Sequence, residues 1–276
     1  MSKYDKDSLG TRMKFYETMA AAKRLMPLLP VMVRLDGVAF HTFTKGLERP
    51  YDKRLSQLMI DTTKYLVKET NARIGYTQSD EITLLLYSDE WDSQIYFDAK
   101  LTKIVSILAA KASVFFNSML PTCIPEKATS PAFFDCRVWN VPTQQEAYHV
   151  FLWREQDATR NSISMAAQSL YSHKQLQHKS GAEMQEMIFQ KGINWNDYPR
   201  FFKRGTYIQR RTIEREFTPE EFEKLPPKHA ARKNPYLKIL RGTVVEVDMP
   251  PISQVINELG VLFYGAEPSV AGKVLN

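Results

Sequence analysis

Two acidic residues, Asp36 and Asp80, occupy positions where carboxylates can act on phosphate chemistry. Asp36 follows the apolar run 31–35, and Gly37 lets the chain turn sharply directly after it. Asp80 lies in the polar tetrad 78–81, between two runs that are typical of hairpin strands. Two carboxylates and a backbone carbonyl suit a pair of Mg²⁺ ions about 3.5–4 Å apart, which activates an attacking hydroxyl. The alternative is that Asp36 is only a turn residue and Asp80 only a hairpin tip.

The loop 37–41 after the first acidic residue could hold phosphates on successive backbone N–H groups. It is neither a Walker loop nor a dinucleotide fingerprint, because the chain has no G-x-G-x-x-G and no Gly-Lys-Ser/Thr in this loop. Phe40 is either a core residue or a ring that stacks on a base. His41 is either a structural histidine or a nucleotide contact.

The order of the predicted elements decides which of these residues can meet. The hydrophobic pattern predicts helices at 11–26, 53–70 and 97–119, and strands at 31–35, 73–76, 82–87 and 132–138. From the first strand onward this order is the split β-α-β arrangement of a ferredoxin-like sheet, so the predicted fold class is α+β. In such a sheet the end of the first strand lies beside the hairpin, and Asp36 and Asp80 converge.

The second half of the chain has a different pattern. It predicts helices at 144–172 and 181–191, then an irregular, strand-like and basic stretch from 195, with a late strand at 241–247. We therefore divide the chain into a catalytic domain, 1–140, and a helical and basic region, 141–276, that packs on it.

The charge of the protein is concentrated in one region. The net charge is +6, and residues 200–241 alone carry twelve Lys and Arg against five Glu. A regional excess of this kind favours a polyanionic partner, and the alternative is a solvated surface arm.

Composition and cysteine usage exclude several classes of protein. With 43% hydrophobic and 25% charged residues the chain is typical of a globular protein, not of a disordered or fibrous one. Cys123 and Cys136 are too few and too widely spaced for a disulfide scaffold or a zinc site. We identified no targeting segment and no membrane span, so the sequence predicts a cytoplasmic protein.

Six blocks follow one another along the chain: 33–43 (VRLDGVAFHTF), 49–52 (RPYD), 76–81 (YTQSDE), 102–106 (TKIVS), 134–137 (FDCR) and 153–157 (WREQD). In order and spacing they resemble the tRNA(His) guanylyltransferase superfamily, enzymes that extend the 5′ end of tRNA in the 3′→5′ direction. Val38 and the segment Thr-Arg-Asn-Ser at 159–162 depart from the eukaryotic enzymes. The segment is similar to the guanylyltransferase-like branch of bacteria and archaea, which is associated with template-dependent repair of 5′-truncated tRNAs.

The resemblance implies a palm-like catalytic domain of the polymerase and cyclase type, with Asp36, Asp80 and Glu81 as catalytic residues. It implies two Mg²⁺ ions held by Asp36, the Gly37 carbonyl and Asp80, with Glu81 supporting rather than ligating. The residues expected to contact ATP, GTP or another nucleoside triphosphate are Asp36, Gly37, Val38, Ala39, Phe40, His41, Arg49, Asp52, Ser79, Asp80 and Lys103. The residues expected to contact tRNA are Arg154, Asn161, Lys203, Arg210, Arg211 and Arg215. Family members are built as tetramers, dimers of dimers, so a homo-oligomer is expected.

These observations leave four functions open. The leading hypothesis is Mg²⁺-dependent, template-dependent repair of tRNA 5′ ends, through activation of the 5′-phosphate with ATP or GTP and attack by a nucleotide 3′-hydroxyl. The first alternative is a dedicated tRNA(His) guanylyltransferase that adds G at position −1. A palm-type nucleotide cyclase shares the paired acids but has no use for the basic stretch. A non-catalytic tRNA-binding protein does not need carboxylates beside its phosphates.

Overall fold

The strands of the protein form one antiparallel sheet in the part of the chain that the structure describes, residues 8–234 and 236–272 of a computed structural model. The strands are β1 (Val31–Gly37), β2 (Ile74–Gln78), β3 (Glu81–Leu86), β4 (Phe134–Asn140), β5 (Thr206–Glu216) and β6 (Lys238–Val247). They lie in the order β4-β1-β3-β2-β5-β6, and every neighbouring pair is antiparallel. The mixed α and β content agrees with the predicted class.

The helices cover both faces of the sheet. They are α1 (Ser8–Ala21), α2 (Phe40–Phe43), α3 (Lys53–Thr70), α4 (Leu101–Cys123), α5 (Gln144–Gln168), α6 (His173–Leu176), α7 (Gly181–Phe189), α8 (Arg200–Arg204), α9 (Pro219–Glu223), α10 (Ala230–Lys233) and α11 (Glu258–Tyr264). Short 3₁₀ turns lie at Tyr96–Ala99, Pro125–Lys127, Trp195–Asp197 and Ile252–Gln254. The predicted helix 11–26 ends earlier, at Ala21, and the predicted helix 144–172 ends at Gln168.

Side chains alternate between the two faces of the sheet along each strand, so the core has two layers, one on each face. Odd positions of β1, such as Val33 and Leu35, pack with α3 and α4, whereas Met32 packs on the other face with Phe151 of α5 and Phe263 of α11. Successive strand residues point to opposite faces, so a strand covered on both sides must be apolar on both. This places the even residues of β1, including its charged ones, on the face that α5 covers.

The boundaries of α3 agree with the prediction of 53–70 because local signals determine both ends. Asp52 is the N-cap residue, and its side chain accepts a hydrogen bond from the Arg54 backbone N–H at 2.9 Å. At the other end Asn71 has left-handed backbone angles, with φ of 55°. Asp52 itself is only 4% exposed, and hydrogen bonds from Arg54 lower the pKa of its carboxyl group.

The long helix α4 is apolar enough, by length and composition, to cross a membrane. In this structure one side of it lies in the core, through Ile104, Leu108, Phe116 and neighbouring residues, as expected for a core helix of a globular protein. The prediction that it ends before Pro121 is wrong, since α4 continues to Cys123. Proline in the last turn removes only one backbone hydrogen bond, and the Ile124 N–H still reaches the Leu120 carbonyl.

The basic stretch 200–241 is more regular than its sequence indicates. Residues Thr206–Gln209 pair with β2, and the remainder of β5 continues beyond the sheet paired only with β6. Pro219, Pro226 and Pro227 lie in the long connection between the two strands and interrupt neither strand. The division of the chain at residue 140 stays a prediction, although β5 and β6 extend the sheet that begins with β1.

Candidate active site at the ends of β1 and the β2–β3 turn

The predicted acidic residues meet at one edge of the sheet. In the pairing of β1 with β3, Asp36 lies opposite Glu81, and the Gly37 N–H donates to the Asp80 carbonyl at 3.1 Å. The hairpin is tighter than the predicted tetrad, because Gln78 and Glu81 pair and leave a two-residue turn of Ser79 and Asp80. This turn brings Asp80 directly beside the end of β1.

The environment of the Asp80 carboxylate favours a bound cation. Burial is the main cause that raises the pKa of Asp80, and the charge of Asp36 raises it further. The Ser79 hydroxyl donates to Asp80 at 3.0 Å and offsets only part of this effect. A divalent cation between the two carboxylates would offset their mutual repulsion, and carboxylate oxygens are ligands that Mg²⁺ prefers. The residues present therefore fit a divalent cation, which Asp36, Asp80 and the Gly37 carbonyl would hold.

No group of three or more His, Cys, Asp or Glu side chains that could hold a metal was found within residues 8–234 and 236–272. The two carboxylates alone do not complete an octahedral shell, so water or substrate phosphates would have to supply the other ligands. That is the usual arrangement when Mg²⁺ acts on a nucleotide.

Gly37 is required by the close approach of an aromatic ring. A Cβ atom at this position would lie 2.2 Å from Phe40, which leaves no room for any side chain. Phe40 is 4% exposed and packs with the rings of Phe43, Phe116 and Phe134, at centroid distances of 5.1–5.7 Å. Of the two interpretations of Phe40, the core residue is therefore the one that the packing supports.

A cavity of about 500 Å³ opens beside the acidic residues. Most of the residues predicted to contact the nucleotide line it: Gly37, Ala39, Phe40, His41, Arg49, Asp52, Ser79 and Asp80. Three of the predicted contacts are not in the lining: Asp36, Val38 and Lys103. Asp36 precedes the lining residue Gly37, Val38 is 52% exposed, and Lys103 lines a different cavity. The volume falls within the range of about 300–1,000 Å³ for small-molecule sites. We call this space the nucleotide cavity.

Sequence reasoning missed the opposite wall of the nucleotide cavity. This wall is formed by Met165, Gln168 and Ser169 near the end of α5, and by Phe201 and Phe202 of α8. Nothing in the local sequence marks these residues, since they reach the cavity only when α5 and α8 pack beside the turn. Tyr51, also in the lining, lies within the RPYD block and could have been included.

A network of ion pairs holds the acidic residues in place on the face of the sheet that α5 covers. Arg34 lies on the same face of β1 as Asp36, and its guanidinium contacts the Asp36 carboxylate at 3.2 Å and also that of Glu81. Glu81 binds a second guanidinium, that of Arg154, which in turn contacts Asp157 at 3.3 Å. Glu81 is thus held between two arginines.

Arg154 was predicted to contact tRNA, and its surroundings do not support that role. The residue is 6% exposed, and its guanidinium is engaged by Glu81 and Asp157. Burial lowers the pKa of Arg154, and the positive charge of the neighbouring Arg34 lowers it further. A buried and paired guanidinium has no free face for a phosphate.

We expect Arg154→Met to destabilise the protein by about 2–3 kcal/mol, because it leaves Glu81 with a single partner in a partly buried position. Chemical denaturation measures the change. Arg160→Met is the matched control, since Arg160 also pairs with Asp157, at 3.0 Å, but its side chain is 62% exposed. The control should change stability by no more than about 0.5 kcal/mol. Equal effects of the two substitutions would contradict the structural role of Arg154.

The other predicted tRNA contacts are scattered. Asn161 lies beside the β2–β3 turn, in a cavity of about 240 Å³ that Asp80 and Glu81 also line. Lys203 contacts the Asn196 carbonyl, and its ammonium lies 5.5 Å from the centroid of the Trp195 ring. Burial lowers the pKa of Lys203.

The three predicted contacts on β5 are not equivalent. Arg211 pairs with Glu267, and Arg215 pairs with Glu221 at 2.7 Å. Arg210 is exposed and has no ion-pair partner among the described residues. A polyanion would therefore meet more free charge at Arg210 than at Arg211 or Arg215.

The family model of the tRNAHis guanylyltransferase (Thg1) matches residues 10–142 of this chain. Among curated relatives, the chain is similar to the tRNA(His) guanylyltransferase of Schizosaccharomyces pombe. The two are 26% identical over 253 residues, which is 86% of this chain and 94% of that protein.

Two kinds of solved structure are also similar. A bacterial tRNA(His) guanylyltransferase (Thg1)-like protein in complex with ATP is 36% identical, with a TM-score of 0.76 over 93% of this chain and all of that one. The Saccharomyces cerevisiae tRNA(His) guanylyltransferase is 25% identical, with a TM-score of 0.60 over 68% of this chain and 88% of that one. A bacterial Thg1-like protein has also been solved in complex with GTP, at 34% identity and a TM-score of 0.67 over 90% and 94% of the two chains.

Proposed function

The chain belongs to the tRNA(His) guanylyltransferase (Thg1) family, and we propose that it is the template-dependent, 3′→5′ repair enzyme of tRNA 5′ ends. Members of the family are tRNA guanylyltransferases, hence nucleotidyltransferases. The observation that carries the finer proposal is the extent of the similarity. The bacterial Thg1-like structure is 36% identical to this chain with a TM-score of 0.76, against 25% and 0.60 for the yeast enzyme. The departures at Val38 and 159–162 support the same branch.

The geometry supports a palm-type active site. The order β4-β1-β3-β2, with helices in the two crossovers, is the order that a ferredoxin-like sheet requires. It would place the reacting phosphates at the edge of the sheet that carries Asp36, Gly37 and Asp80. Bound Mg²⁺ would supply neutralisation of phosphate charge and activation of the attacking hydroxyl at that edge.

In this proposal the chain's own residues bind and orient the substrates. The loop 37–41 and Ser79 hold the triphosphate in the nucleotide cavity, and Arg49 contacts its charge. An oxygen of the tRNA 5′-phosphate first attacks the α-phosphorus of ATP or GTP, which forms a phosphoanhydride bond and releases pyrophosphate. The 3′-hydroxyl of the incoming nucleotide then attacks the tRNA 5′-phosphorus, which forms a phosphodiester bond, breaks the phosphoanhydride bond and releases AMP or GMP. Glu81 and Arg34 keep Asp36 in position throughout.

A set of 5′-truncated tRNAs tests the proposal. Each tRNA lacks its first nucleotide and carries a different base opposite the gap, and each nucleoside triphosphate is supplied singly, with Mg²⁺ or with EDTA. We expect the added nucleotide to pair with the opposing base, and addition to require Mg²⁺. Addition of G whatever the opposing base would instead establish the dedicated guanylyltransferase. A cyclic nucleotide formed from ATP or GTP alone would contradict both.

We propose, as part of the same function, that the protein acts as a homo-oligomer in the cytoplasm. Exposed apolar side chains on α4 and directly before β4 support the oligomer. Ile107, Val114 and Phe133 are 36%, 70% and 60% exposed, and the Ser113 hydroxyl accepts from the Phe134 N–H, which holds the start of β4 beside α4. Exposed apolar groups on neighbouring elements favour contacts between chains. A monomeric mass in light scattering would contradict the proposal.

A further inference from the structure

A second cavity, of about 570 Å³, lies at the end of the sheet opposite to the acidic residues. It is lined by the start of β2, the end of β3 and the segment before α4, including Leu86 and Tyr87. The strand β3 runs from Glu81 at one end to Leu86 at the other, about 17 Å at the rise of an extended strand. This cavity is therefore separate from the nucleotide cavity.

Four basic side chains line the second cavity: Arg73, Lys100, Lys103 and Arg210. We call this second cavity the basic cavity. Lys100, Lys103 and Arg210 have no ion-pair partner within residues 8–234 and 236–272. Asp98, the acidic residue in the lining, is already bound by Arg24. Asp89 lies 3.9 Å from Arg73. The charge of the basic cavity is thus largely uncompensated by the chain itself.

The backbone holds these cations in a defined arrangement. The Arg210 N–H donates to the Arg73 carbonyl at 3.1 Å, which fixes β5 beside the start of β2. The Arg73 side chain donates to the Tyr87 carbonyl at 3.0 Å. Lys100 is the N-cap residue of α4, and the first turn of this 23-residue helix contains no acidic residue. The positive end of the helix dipole adds to the potential of the basic cavity.

We propose that the basic cavity binds phosphates of the tRNA body while the 5′ end lies at Asp36 and Asp80. The inference rests on the proposed function, which supplies a tRNA as the substrate. The triphosphate that reacts at the acidic residues cannot also reach this cavity, because a strand length separates the two. A folded RNA can contact both, and its backbone charge is what free lysines and arginines bind without regard to sequence. Arg210 also connects the cavity to the exposed part of β5 and β6.

The test measures tRNA affinity of the full chain against salt concentration. The variant is the double substitution Lys100→Gln with Arg210→Gln, which removes two of the three cations of the basic cavity that have no ion-pair partner among the described residues. We expect weaker tRNA binding and a slope of log affinity against log salt that falls by about 1 for each phosphate that is no longer bound. The matched control is Lys174→Gln with Lys191→Gln, two exposed lysines far along the chain on α6 and after α7. It should leave affinity and slope unchanged.

Inorganic triphosphate serves as the second probe. Its affinity is expected to fall in the double variant together with that of tRNA, because a cavity that binds RNA phosphates also binds this smaller anion. Loss of triphosphate affinity with unchanged tRNA affinity would assign the cavity to a nucleotide and overturn the inference, as would an unchanged slope. The proposed function is judged separately, by nucleotide addition in the unaltered protein. Absence of addition together with the predicted change in slope would refute repair and keep the basic cavity as an RNA site.

Discussion

Replacement of Asp36 or Asp80 by Asn is expected to lower the rate of nucleotide addition to tRNA by about 10³-fold or more, which corresponds to roughly 4 kcal/mol of transition-state stabilisation. Asn keeps the size and one oxygen of each side chain but removes the charge that a divalent ion requires. Addition of labelled nucleotide to a 5′-truncated tRNA measures the effect.

Binding of tRNA should survive both substitutions, since removal of acidic residues does not weaken an electrostatic contact with phosphates. Asp61→Asn is the control, because Asp61 lies on α3 with its side chain 37% exposed, and its partners Lys64, at 3.6 Å, and Gln57, at 3.0 Å, lie on the same helix. It should keep full activity. Addition at the normal rate by both Asp36→Asn and Asp80→Asn would refute the metal assignment.

Gly37→Ala is expected to abolish tight nucleotide binding and to destabilise the fold by about 1–3 kcal/mol, the usual cost of overpacking. The new Cβ would lie 2.2 Å from the Phe40 ring, and that ring cannot withdraw because Phe43, Phe116 and Phe134 surround it. The strain must then move the loop 37–41, which forms one wall of the nucleotide cavity. Thermal unfolding and titration with ATP measure the two effects.

Gly181→Ala provides a control with the same chemical change. A Cβ at Gly181 meets nothing within 4 Å, and the residue begins α7, so the melting temperature should stay the same or rise. Adding Phe40→Leu to Gly37→Ala should restore part of the ATP affinity, because it removes the ring atoms nearest to the new methyl group. Unchanged stability and ATP affinity in Gly37→Ala alone would contradict the packing argument.

Much of the candidate site was predictable because it depends on local signals. The bounds of α3 follow from Asp52 as N-cap and Asn71 as a left-handed terminus. The meeting of Asp36 with Asp80 follows from the order of the predicted strands and one short hairpin. Each of these signals acts over a few residues, where side-chain period and backbone preference decide the local structure.

The partners of the charged residues were not predictable in the same way. The sequence alone led to Arg154 as a contact of tRNA, whereas the structure pairs it with Glu81, more than seventy residues away. The burial of a charge depends on which partner is brought within reach, and that is decided by how α5 packs on the sheet. The same packing supplies Gln168 and Phe201 to the nucleotide cavity.

By itself the sequence determined the acidic residues, their convergence, the charge of the basic stretch and the family. Only the tertiary structure decided that this stretch forms β5 and β6, and that Lys103 lies in the basic cavity. It also decided that Arg211 and Arg215 are paired, whereas Arg210 has no ion-pair partner in the part of the chain that the structure describes. The physical reason is distance along the chain. Composition and period describe neighbours in sequence, whereas an ion pair or a cavity is made by residues that meet only after the sheet and its helices have packed.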